Sequence, residues 1–104
     1  MMEMLQKMQL AQQKLAEAQA QLPNLSVTEV GGGGAVRVTI NGTLVLTTLS
    51  IAPEATEDRE MLEDLVQSTI NRAIVSAQTM ARDHLARATQ GLIPDLPGMN
   101  LPGL

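Results

Sequence analysis

The spacing of apolar residues changes twice along this chain, and each change marks a boundary between structural elements. Over residues 1–22 they fall at Met1, Met4, Met8, Ala11, Leu15, Ala18 and Leu22. The steps alternate between three and four, the a/d spacing of a coiled-coil seam, which reads as a helical pair or dimer seam ahead of a helix packed on its own domain. The intervening Gln, Lys, Glu and Ala favour helix. Pro23 ends it, because the residue before a proline is pushed out of the α region. Over residues 25–51 the period drops to two, and the text reads as three antiparallel strands: LSVTEV, AVRVTI and TLVLTTLSI. From about Glu57 to Gln90 the helical period returns. Its seam is Val66, Ile70, Ala73, Ala77 and Met80, widened by Leu62, Leu65, Ile74, Ala81 and Leu85. The fold class is therefore α+β, an α-β-β-β-α subunit with a three-stranded antiparallel sheet.

Turn chemistry joins these pieces. Asn41-Gly42 is a strong hairpin signal, since both residues tolerate the positive φ of a type I′ turn. A two-residue loop there pairs Ile40 with Thr43 and Val38 with Val45. It places Val36, Val38, Ile40, Val45, Thr47, Leu49 and Ile51 on one face, joined by Leu25 and Val27. Arg37, Thr39, Leu44, Leu46 and Thr48 lie on the other face. That second face is half apolar, so Leu44 and Leu46 are the expected contacts of a dimer interface. Gly31–Gly34 reads as a flexible hairpin turn. A phosphate loop would need a following Gly-Lys-Ser/Thr and a helix, and here a strand comes next.

The helices are long for a chain of 104 residues. At ~1.5 Å per residue they reach ~33 and ~50 Å, against a radius of gyration of ~13 Å for a compact domain of this size. They must protrude or lie along a partner. Gly91 is the expected stop of the last helix. Residues 1–91 form the domain, and residues 92–104, GLIPDLPGMNLPGL without its first glycine, form a Pro/Gly-rich flexible or extended apolar tail.

Charge is unevenly spread. Residues 54–64 hold six acids and one base, a net of −5, while the whole chain carries −4. The acids crowd the start of the last helix, where its dipole favours them. If the two helices run side by side, their free ends point the same way. Lys7, Lys14, Arg82 and Arg87 then lie toward those ends, with Arg72 midway.

The composition narrows function. No cysteine is present, which excludes disulfides and thiolate chemistry and suits a reducing compartment. Phe, Tyr and Trp are absent too, so bases of a single strand have no aromatic ring to stack on. No stretch approaches the ~20 apolar residues of a membrane span, and the polar Glu3, Gln6 and Lys7 break any signal-peptide core. The expected location is the cytoplasm, with no membrane partner. His84 is the sole histidine. Its neighbour Asp83 points ~100° away around the helix and cannot orient it. Glu60, Glu63 and Asp64 lack a histidine or cysteine to complete a metal site. The reading is a non-enzyme with no cofactor, no metal and no small-molecule substrate.

VRVTINGTL, followed by LSIAPEA and DREMLEDLVQSTINRA, resembles the YbaB/EbfC family of bacterial nucleoid-associated proteins. The likeness covers essentially the whole chain, including MLQKMQLAQQKL, the glycine turn and the Pro/Gly tail. It implies a tweezer-like homodimer of α-β-β-β-α subunits that binds duplex DNA with low or modest sequence preference in the nucleoid, organising it or regulating genes. Carried over by position, it suggests Lys7, Lys14, Arg72, Arg82 and Arg87 as DNA-binding residues. Arg37 on the sheet is the other basic group DNA could reach. The first helix holds fewer lysines than is usual in that family. A second reading is a protein-binding adaptor or chaperone-like clamp, similar to the prefoldin class, with the Met-rich helix and the apolar tail as its contact surfaces.

Overall fold

The computed structural model describes residues 1–92. The order is α1 (Met2–Gln21), β1 (Ser26–Gly31), β2 (Val36–Asn41), β3 (Leu46–Ile51) and α2 (Arg59–Ala88), with 3-10 turns at Leu22–Asn24, Gly32–Gly34 and Pro53–Glu57. Pro23 sits inside the first of these turns and converts α1 into the approach to β1. Asp58 caps α2, its Oδ1 accepting from the Met61 N–H at 3.1 Å. The sheet runs β1-β2-β3, antiparallel throughout.

The expected two-residue loop at Asn41-Gly42 does not form. Asn41 is the last residue of β2, and its N–H bonds to Val45 O at 3.0 Å. The loop is Gly42–Leu44, closed by Leu44 N–H to Asn41 O at 3.0 Å, with Leu44 left-handed at φ 65°. This is the three-residue hairpin, a tight turn followed by an αL residue. The Asn41 side chain stabilises it by accepting from Thr43 N, Thr43 Oγ1 and Val45 N. Gly42 is needed for another reason: a Cβ there would sit 2.5 Å from Leu22 O. Its N–H instead bonds to Leu22 O and Leu25 O at 3.0 and 2.9 Å.

The longer loop changes the register. Ile40 pairs with Leu46, Val38 with Leu49 and Val36 with Ile51, with a bulge between the Thr39 and Ile40 pairs. Leu46 therefore lies on the same side as the core, not on the opposite face with Leu44. The outer face carries Thr28, Val30, Arg37, Thr39, Thr48 and Ser50, with Thr28 and Thr39 joined through their hydroxyls at 2.9 Å. It is polar enough to be solvated.

The core is Val36, Val38 and Ile40 of β2 against Ala73 and Ala77 of α2, flanked by Val27, Leu62, Leu65, Val66, Ile70 and Ile74. Small residues on α2 let it approach the sheet closely. Thr69 is fully buried with its hydroxyl against Gly31, where no side chain could fit. Helix α2 covers β1 and β2, while β3 is exposed along its whole length.

Beyond the sheet, α2 runs antiparallel to α1. Ala11 and Ala18 are buried and Leu15 and Leu22 half-buried, so the lower half of the a/d stripe is the seam of an intramolecular helix pair. Residues 1–10 are all exposed and project ~15 Å past the end of α2. The helix α2 stops at Ala88, two residues before the expected end, with Thr89 Oγ1 bonded to Leu85 O and Ala86 O. Gly91, at φ 79°, then turns the chain toward α1. The result measures 66 × 27 × 16 Å, long and narrow as the helix lengths require. Residues 93–104, most of the expected tail, lie outside the described residues.

Candidate nucleic-acid interface

The acidic segment and the helix pair occupy opposite ends. The start of α2 lies by the Gly32 turn, where Leu65 touches Gly32, and the exposed Glu54, Glu57, Glu60, Glu63 and Asp64 gather there. At the other end α1 and α2 present basic groups. Lys14 and Arg87 line one shallow depression together with His84 and Gln21. His84 Nε2 lies 2.8 Å from Gln21 Oε1, holding the two helices together. Arg87 stands in the last turn of α2, where the helix dipole favours a cation. Lys7 is farther out, on the projecting part of α1.

The remaining expected residues are placed differently. Arg82 borders the depression formed by Leu22, Gly42, Thr43 and Leu44. It lies beside the β2–β3 turn, not at the free end, because most of α2 is spent crossing the sheet. Arg72 is fastened to β1: its Nη2 donates to Val30 O at 3.1 Å and its Nη1 lies 3.8 Å from Glu29 Oε2. Glu29 faces α2 from the core side of β1, opposite Val38, and also accepts from Ser76 Oγ at 2.8 Å. Sequence reasoning missed this carboxylate, although Glu29 is two residues from Val27 and so shares its face. Arg72 thus answers a half-buried acid.

Ion pairing sorts the other cations. Arg59 is paired with Glu63 at 2.9 Å and Lys14 with Glu17 at 3.6 Å, both on the helix surface. Among the described residues, Lys7, Arg37, Arg82 and Arg87 have no carboxylate partner. All four are exposed, as phosphate contacts require. Arg37 alone lies on the outer sheet face. No group of His, Asp or Glu among the described residues could hold a metal ion. No helix among them is long and apolar enough to cross a membrane.

The sequence model of the YbaB/EbfC DNA-binding family matches residues 1–92. The chain belongs to that family. A nucleoid-associated protein of Anaeromyxobacter sp. is 45% identical over 87 residues, covering 81% of this chain and 84% of that protein. One from Pelotomaculum thermopropionicum is 37% identical over 101 residues, covering 95% and 94%. The crystal structure of an uncharacterized protein from Helicobacter pylori superposes with a TM-score of 0.67 at 25% identity, covering 78% of this chain and 86% of that one. The basic groups form no compact patch: Lys14 and Arg87 are side by side, with Arg82 toward the sheet and Lys7 toward the α1 tip.

Proposed function

We propose that this chain is a nucleoid-associated protein of the cytoplasm that binds duplex DNA through its phosphates, as a homodimer, with little sequence preference. Membership of a DNA-binding family over residues 1–92 carries the reading. The exposed cations on and beyond the helix pair support it, as does the placement of the acidic 54–64 cluster at the far end. Lys7, Lys14, Arg82 and Arg87 supply the contacts, and Arg72 adds little because β1 already holds it. None of these stands in a rigid constellation suited to bidentate base readout, so affinity comes from counterion release.

A titration of labelled duplex DNA at several salt concentrations tests this. With about 4–6 phosphate contacts per dimer, log K falls against log salt with a slope of roughly −4 to −5, and unrelated duplexes of one length bind alike. Replacing Arg82 and Arg87 together by Ala flattens the slope and leaves the fold intact. An unchanged slope and affinity would remove the helix pair as the interface and direct attention to Arg37. No binding at low salt would favour the protein-binding reading.

A further inference from the structure

His84 shares its depression with two of the cations proposed to meet DNA. Lys14, Glu17 and Gln21 reach it from α1, and Arg87 from the last turn of α2. Its charges nearly cancel. Lys14 Nζ lies 3.6 Å from Glu17 Oε2, so with a neutral His84 the depression carries a net +1, from Lys14 and Arg87 against Glu17. A charge on His84 doubles that to +2. The other charged neighbours of His84 on α2 face elsewhere. Asp83 points ~100° away around the helix, and Arg82 borders the depression beside the β2–β3 turn. Histidine is the side chain whose charge changes between about pH 5 and pH 8, and His84 is the sole histidine of the chain.

The hydrogen bond across the seam decides what that charge can do. His84 Nε2 lies 2.8 Å from Gln21 Oε1. An amide oxygen only accepts, so Nε2 carries a hydrogen and donates. In the neutral ring Nδ1 is then a lone pair, which a phosphate oxygen avoids. In the charged ring Nδ1 is a donor as well, and no hydrogen bond occupies it among the described residues. The bridge to Gln21 is the same in both states. Protonation therefore adds a charge-assisted donor to the depression without loosening the helix pair.

We propose that Lys14, His84 and Arg87 form a phosphate subsite that is completed when His84 takes up a proton, so that duplex DNA binds more tightly as pH falls. The inference rests on the DNA-binding reading and adds to it a further binding residue and a proton linkage. A DNA phosphate takes the place of Glu17 as the partner of Lys14, at little cost because an exposed pair of this kind holds weakly. Binding and protonation favour each other reciprocally, so DNA also draws the proton onto His84.

Titrations of labelled duplex DNA at about pH 6 and about pH 8, each at several salt concentrations, test this across the range in which histidine changes charge. Carboxylates ordinarily titrate near pH 4 and stay charged throughout. The parent should bind ~5-fold or more tightly at the lower pH, with a salt slope steeper by about 1 to 2 per dimer, one further phosphate contact on each subunit that touches the duplex. His84→Gln can still bridge to Gln21 but never carries a charge, so it should bind alike at both pH values. His84→Arg, a permanent cation, should bind at the higher pH as tightly as the parent does at the lower. The slope separates a phosphate contact from a brace between helices, since a brace alters affinity without altering the number of counterions released. Binding by the parent that ignores pH, a His84→Gln variant that keeps the parent's pH response, or a response with no change of slope would each overturn the subsite and leave DNA binding standing. No binding at either pH at low salt would overturn both.

Discussion

Asn41 and Gly42 act as two separate devices, although together they look like one turn motif. Asn41 organises the loop through three hydrogen bonds to its side-chain oxygen. Gly42 admits the Leu22 carbonyl, which a Cβ would meet at 2.5 Å, and its own φ is not left-handed. The left-handed residue is Leu44, which no sequence rule selects, and this is why the turn was legible but its length was not. Gly42→Ala should therefore cost ~1–3 kcal/mol from overpacking against backbone, lowering the melting temperature by ~4–8 °C per kcal/mol for a domain of this size. Asn41→Ala should cost ~1–2 kcal/mol through lost hydrogen bonds. Leu44→Gly should be neutral or stabilising, since glycine meets no steric penalty at positive φ. Thermal melts followed by circular dichroism at 222 nm would rank the three; a Gly42→Ala chain as stable as the parent would show that the α1–β1 turn can yield.

Among elements, the helices were the most legible part, because twenty or thirty residues of regular period leave few alternatives. What periodicity could not supply was the partner of each stripe. The α1 stripe proved to pack on α2 over Ala11 to Leu22 and, among the described residues, to stay exposed above, a division set by where α2 stops. The face of β1 was half legible: Val27 points at α2 as its period demands, but so does Glu29, whose charge argued for solvent. Ser76 and Arg72 from α2 resolve that conflict. Arg72→Ala should then lower stability by ~1 kcal/mol or less, since the arginine is half exposed and Ser76 still holds Glu29, while leaving the salt slope of DNA binding unchanged. Chemical denaturation and the duplex titration measure the two effects separately. A slope reduced by nearly one unit per cation, with stability unchanged, would assign Arg72 to phosphate instead.

At the scale of the whole molecule the feature to be explained is β3. Leu46, Leu49 and Ile51 stand on the core side of the sheet opposite Ile40, Val38 and Val36, yet all three are exposed, because α2 lies over the other two strands. The strand is also a free edge, whose unpaired N–H and C=O groups invite another strand. A second copy presenting the same surface would cover both by two-fold symmetry, a proposed interface that keeps Leu46 but places it on the core side of the sheet. The expected outcome is a dimer in sedimentation at micromolar concentration. Leu46→Lys combined with Leu49→Lys should give a monomer that keeps its helical signal, because both positions are already solvent-exposed in the single chain and their replacement removes nothing from the core of β2 and α2. Two buried lysines facing their symmetry copies would cost several kcal/mol at a dry interface, enough to shift the dissociation constant by more than a hundredfold, as every ~1.4 kcal/mol is a factor of ten. The DNA titration then becomes a second gauge of the same event. Half the cations contact one duplex in a monomer, so the salt slope should fall from roughly −4 or −5 to about −2, although no DNA-contacting residue has been touched. A lysine variant that stays dimeric would place the interface elsewhere, and one that becomes monomeric with an undiminished slope would show that each subunit binds DNA alone.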